Sequence, residues 1–118
     1  MPIDVFWEDF DWAADTSGPV PTRVLKVVRD DHSLVTRFLT ALQHDEFPHL
    51  SFISHETVTV FHQRSLGPLV GELEALRKRE QDPAVLKQIG AVLELVAGAR
   101  GPTESLIAFR VRKGEDAA

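Results

Sequence analysis

Between Leu66 and Val96 the chain carries two successive apolar stripes at helical spacing, and these constrain the fold more than any other feature. Leu66, Leu69, Val70, Leu73 and Leu76 mark the first, with Ser65 as its expected cap and Arg77, Lys78 and Arg79 near the negative end of its dipole. Val85, Leu86, Ile89, Leu93 and Val96 mark the second. Asp82 stands where a cap is needed, Pro83 fits the first helical position, and Gly98 or Gly101 supplies an end. Each helix is apolar along one side only, so each must lay that side on another element. Gly90 lies mid-helix, where glycine costs stability relative to alanine, so close packing is expected there.

The flanking segments supply candidate covering strands. In "PIDVFWEDFDW" (2–12), Ile3, Val5 and Trp7 alternate with Asp4 and Phe6, which suits a first strand. After the turn-forming "DTSGPVP" (15–21), the Val-rich "TRVLKVVRD" (22–30) reads as a second. A helix running on through Leu34 competes, because Val24, Val28, Val35 and Phe38 also keep a helical rhythm; the strand is favoured. Asp30 or Asp31 then caps a helix whose Leu34, Phe38, Leu39 and Leu42 share a face. "PHLSFISHETVTVFHQ" (48–63) reads as a hairpin with Ser54–Glu56 as its loop. That register puts Leu50, Phe52, Val58 and Val60 on one face, and His49, Ser51, Thr57 and Thr59 on the other. "SLIAFRVRK" (105–113) alternates Ile107, Phe109 and Val111 with Ala108, Arg110 and Arg112, a strand with one wet face.

The expected fold is α+β: a mainly antiparallel sheet of about four or five strands with about three helices packed on one face. A chain of 118 residues makes one such domain over 1–118, with 114–118 as a frayed tail. Strand order does not follow from the pattern.

"TVFHQRSLGPLVGEL" (59–73) resembles a family of small, uncharacterised bacterial α+β proteins, in which a strand ending Thr-Val-Phe-Asn turns into a helix beginning Leu-Leu-x-Glu-Leu. Thr59, Val60, Phe61, Leu69, Glu72 and Leu73 carry the match, over about a quarter of the chain. His62 stands in place of the Asn, and Pro68 comes one position late. The resemblance implies the fold and no particular activity.

Composition narrows the chemistry. With no Cys, disulfides and thiolate metal sites are excluded. Met1 is followed by Pro, Ile and Asp, which is not a secretory start, and the apolar stretch 89–99 is too short to span a bilayer, so a cytoplasmic protein is expected. The net charge is −5, and its location is informative: Asp4, Glu8, Asp9, Asp11 and Asp15 fall in residues 1–16 without a Lys or Arg, while the other 13 acids are matched by 13 bases. A local negative field repels phosphates, so nucleic acid is not an expected partner. His32, His44, His49, His55 and His62 offer no H-x-x-x-H pair on an expected helix, and neither a metal nor a cofactor is expected. Arg110, Arg112 and Lys113 read as a charged strand face or edge.

The functional expectation rests on the opening stretch. Rings among acids suit a surface for a basic protein, with buried area from the rings and steering from the carboxylates. Phe6, Glu8, Asp9, Phe10, Asp11 and Trp12 are the candidate partner-binding residues, with no catalytic residue assigned. The competing reading turns the chain after Trp7 and tucks Phe10 or Trp12 over the core. The expected function is a non-catalytic cytoplasmic protein-binding module, in one form an immunity- or antitoxin-like inhibitor. The alternatives are a small hydrolase or metal-dependent enzyme using His49 or His62, and a structural or assembly subunit, for which a homo-oligomer is compatible.

Overall fold

The computed structural model describes residues 2–12, 19–40, 42, 45–101 and 105–112, with backbone alone for 10–12 and 19–22. The expected tail (114–118) and the first part of the expected turn (15–18) lie outside the described residues.

Four strands form one sheet: β1 (Ile3–Trp12), β2 (Pro19–Val28), β3 (Val58–Phe61) and β4 (Ser105–Val111), in the order β2-β1-β4-β3. Every neighbouring pair is antiparallel. Helices α1 (Leu34–Thr40), α2 (Pro48–Ser51), α3 (Gln63–Arg79) and α4 (Pro83–Ala99) complete the described fold, with a 3₁₀ turn (Asp31–Ser33) leading into α1. This is the expected α+β architecture, and residues 22–28 are strand as favoured.

The registers sort side chains between two faces. Val5 lies opposite both Val28 and Phe109, Trp7 opposite Ile107, and Phe61 opposite Ile107. Side chains in these rows join Leu66, Leu69 and Leu73 of α3 and Ile89, Val92 and Val96 of α4 in the core. Phe109 is fully buried, and Phe61 meets it edge-on at 5.8 Å, a geometry that aligns ring edge and ring face favourably. Gly98 of α4 lies beneath the Trp7 ring.

Polar groups close the helix ends. The Asp82 carboxylate accepts the Ala84 N–H, as its sequence position implied. Gln63 ties α4 to β4: its amide donates to the carbonyls of Ala99 and Ser105, and its oxygen accepts the Gly101 N–H. Gly101, with φ of +98°, occupies the left-handed region that ends the helix at low steric cost. Gly98 instead lies within α4. Ser65 is not the cap of α3, which begins two residues earlier with His62 at the capping position.

The expected hairpin over 48–63 does not form. Pro48 opens the single helical turn α2, because the Glu72 carboxylate of α3 accepts the N–H groups of both His49 and Leu50. An orphaned pair of helix donors thereby gains a half-buried acceptor, and the local alternation is overridden. Leu50 is buried while Phe52 is 70% exposed. The facing of β3 is also reversed: Thr59 and Phe61 turn inward, and Val58 and Val60 outward. Thr59 tolerates burial because its hydroxyl accepts the Ser54 N–H.

Close packing at Gly90 is not found either, since a Cβ there would meet nothing within 4 Å. Gly90→Ala is therefore expected to stabilise the fold by roughly 0.5–1 kcal/mol, the helical cost of glycine. Chemical denaturation checks this; a loss of stability would reveal a neighbour to that helix face.

Candidate functional site

The face of the sheet turned away from the core carries alternate residues of the opening stretch, Asp4, Phe6 and Glu8. Its central row crosses all four strands: Val27 faces Phe6, Phe6 faces Ala108, and Ala108 faces Val60. At about 4.8 Å per strand spacing, the row spans roughly 14 Å. Val27 and Val60 are 37% and 38% exposed, and the adjoining Val24 and Val58 are 50% and 47% exposed. Ala108 is buried between its larger neighbours, and the next row, Glu8 with Leu106, is buried too. Exposed valines therefore stand at the two ends of the row, on β2 and β3, with Phe6 half-buried and Ala108 buried between them.

Asp4, Glu8 and Asp9 of β1 are compensated, contrary to what their sequence isolation implied. Glu8, expected on an acidic rim, is buried and receives a 2.7 Å hydrogen bond from Arg110. That guanidinium also lies over the Phe6 ring, 5.5 Å from its centroid, a cation–π contact that fixes Phe6 and Arg110 together. Asp9 pairs with Arg23 at 3.0 Å, an exposed bridge of small energetic weight. The side chains of Phe10, Asp11 and Trp12 lie outside the described residues. Their backbone continues β1 to Trp12, opposite Pro19, so the chain does not turn after Trp7.

At the far end of β1, Asp4 is the hub of a buried network. Arg112 donates to it with two nitrogens, at 2.6 and 3.0 Å, Arg29 donates at 3.0 Å, and the Asp30 N–H at 2.9 Å. Burial pushes the Asp4 carboxyl up, but these hydrogen bonds and the Arg112 charge outweigh it, and its pKa is held below the ordinary carboxylate value. Asp30 in turn accepts from Ile3, Val35 and Thr36. The network locks four segments together and leaves Asp4 no charge to offer a partner.

A second feature lies beside β3. A cleft of about 330 Å³ is lined by Pro48, His49, Phe52, Val60, Phe61 and Ser65. Glu72 holds the His49 ring through Nδ1 at 2.5 Å, which leaves Nε2 as the second nitrogen of a fixed imidazole. An imidazole oriented by a carboxylate is one element of general-base chemistry. Here the same carboxylate caps α2, and this structural task accounts for the pair. Sequence reading missed Glu72, since nothing local links it to a histidine 23 residues earlier. His62 is exposed at the capping position of α3. Among the described residues no group of three or more His, Cys, Asp or Glu side chains is placed to hold a metal ion. Nor is any described helix long and apolar enough to cross a membrane.

Comparison of the chain with protein-family models, with curated proteins and with solved structures gives no match in any of the three.

Proposed function

We propose that the chain is a non-catalytic protein-binding module that receives its partner on the outer face of the sheet, around Phe6. The observation that carries this reading is the in-register apolar row Val27, Phe6, Ala108 and Val60, whose ends Val27 and Val60 are exposed beside exposed Val24 and Val58. Phe6 held under Arg110 supplies a rigid aromatic and guanidinium pair, the side-chain types enriched at the energetic centres of interfaces.

The partner we propose is a basic protein, and an immunity- or antitoxin-like inhibitor is the form this takes. The supporting charge argument differs from the one the sequence invited. Asp4, Glu8 and Asp9 each face an arginine and contribute little net field at a distance. The overall charge of −5 remains, and it favours encounter with a cationic surface, while the apolar row supplies the buried area.

Affinity capture with three baits tests the reading: the wild-type chain, Val24→Lys and Val27→Lys. Both valines are exposed, so the folded chain accommodates lysine and thermal unfolding stays close to wild type. A basic protein retained by the wild type and weakened about tenfold or more by each substitution is the expected result. A partner held equally by all three baits would remove this face from consideration. Glu8 makes a poor probe, because its substitution strands Arg110 and perturbs the fold.

A further inference from the structure

The two edges of the sheet are built differently, and the difference identifies a second interaction surface. β2, at one edge, contains Pro19 and Pro21, which lack the N–H that edge pairing needs, together with Arg23 and Lys26. Its pairing with β1 is also interrupted twice, leaving Thr22 and Leu25 as extra residues. Such bulges twist an edge away from incoming strands. β3, at the opposite edge, has none of these devices. Its sequence is Val-Thr-Val-Phe, with no proline and no charge, and its pairing with β4 is regular. Among the described residues its outer side has no backbone partner. The exposed Val58 and Val60 line this edge, and Phe52 adjoins Val60 in the cleft beside it.

We propose that β3 pairs with β3 of a second copy of this chain, joining two four-stranded sheets into one of eight strands. The occupant follows from the charges that flank the strand. Exposed Glu56 precedes it and exposed Arg64 follows it. Antiparallel pairing brings the acid of each copy toward the base of the other, whereas parallel pairing sets like charges together. A two-fold axis perpendicular to the sheet keeps both outer faces on one side, and this requires an axis through a residue rather than between two. Centred on Thr59, it sets Val58 of each copy beside Val60 of the other. The outer faces then run on into one another, so a partner docked around Phe6 would meet two equivalent rows.

Sedimentation analysis of the purified chain, from about 1 to 100 μM, tests the proposal. The wild type is expected to populate a dimer, and Val60→Lys to weaken it at least about tenfold. Glu56→Arg should weaken it as well, and Glu56→Arg combined with Arg64→Glu should restore it. Val27→Lys, on the protected edge, should leave the dimer intact, which separates this proposal from partner binding on the outer face. A wild type that stays monomeric throughout, or a dimer indifferent to both Val60→Lys and Glu56→Arg, would overturn the pairing. Circular dichroism of each variant confirms that the comparison is among folded chains.

Discussion

Asp30→Ala is expected to lower the stability of the fold by about 3–4 kcal/mol, from a lost helix cap (about 0.5–2 kcal/mol) and stranded buried donors (about 1–3 kcal/mol each). Its carboxylate is buried and accepts four hydrogen bonds: Ile3 N–H at 2.8 Å, Val35 N–H at 2.7 Å, Thr36 N–H at 3.2 Å and the Thr36 hydroxyl at 3.1 Å. Two of these satisfy the first turn of α1, and a third fixes the first residue of β1. Alanine leaves the Ile3 N–H in a buried position without its acceptor and uncaps α1 in the same step. Asn keeps one acceptor oxygen but loses the charge, so Asp30→Asn should fall between alanine and wild type. A midpoint drop of roughly 10 °C or more is expected for the alanine variant of a domain this size. A loss below about 1 kcal/mol in urea unfolding would mean that water replaces the carboxylate at little cost.

The sequence already pointed to Asp30 or Asp31 as a cap, but the larger part of its role was invisible there. Its bond to Ile3 joins residues 27 apart, a pairing that exists only once β1 and β2 are aligned. The same distance effect explains the charges. Asp4, Glu8 and Asp9 look uncompensated in the chain because their partners are Arg23, Arg29, Arg110 and Arg112, the last 108 positions from Asp4. A running charge count sees neighbours in the chain, whereas Coulomb attraction acts between neighbours in space.

Segments with one strong period were legible. Asp82 and Pro83 opened α4 as their chemistry requires, and Leu66, Leu69, Val70, Leu73 and Leu76 of α3 are all buried as their helical spacing implied. Segments with two competing periods were not. Leu50 and Phe52 alternate acceptably for a strand, yet Glu72, more than 20 residues on, caps Pro48–Ser51 as a helical turn. In Val58–Phe61, valines and phenylalanine favour opposite facings, and Phe61 prevails by packing edge-on to Phe109. The outward valines that result are what both functional proposals use, so the misread facing of β3 and the premise of those proposals have a single cause.

The Asp4 network gives the second large effect, and it carries a pH signature that separates it from ordinary packing. Asp4→Asn is expected to cost about 3 kcal/mol at neutral pH, the lower range for breaking a buried ion pair. Most of this belongs to Arg112, whose side chain is only 22% exposed and loses a two-nitrogen contact. Arg29 is 66% exposed and contributes little. Because the folded pKa of Asp4 lies below its unfolded value, the folded state binds that proton less readily than the unfolded state. The stabilisation is therefore present above the unfolded value of about 4, and it is lost as pH falls from there through the folded value. The stability gap between wild type and Asp4→Asn should accordingly be constant from pH 7 to about pH 5 and should narrow below about pH 4. Acid weakens the whole chain through other carboxylates, but these are shared by both proteins and cancel in the difference. Urea unfolding of the pair at pH 7, 4 and 3 measures it. A gap that stays constant down to pH 3 would assign the loss to shape and hydrogen bonding, and would deny Asp4 its role as a charged hub.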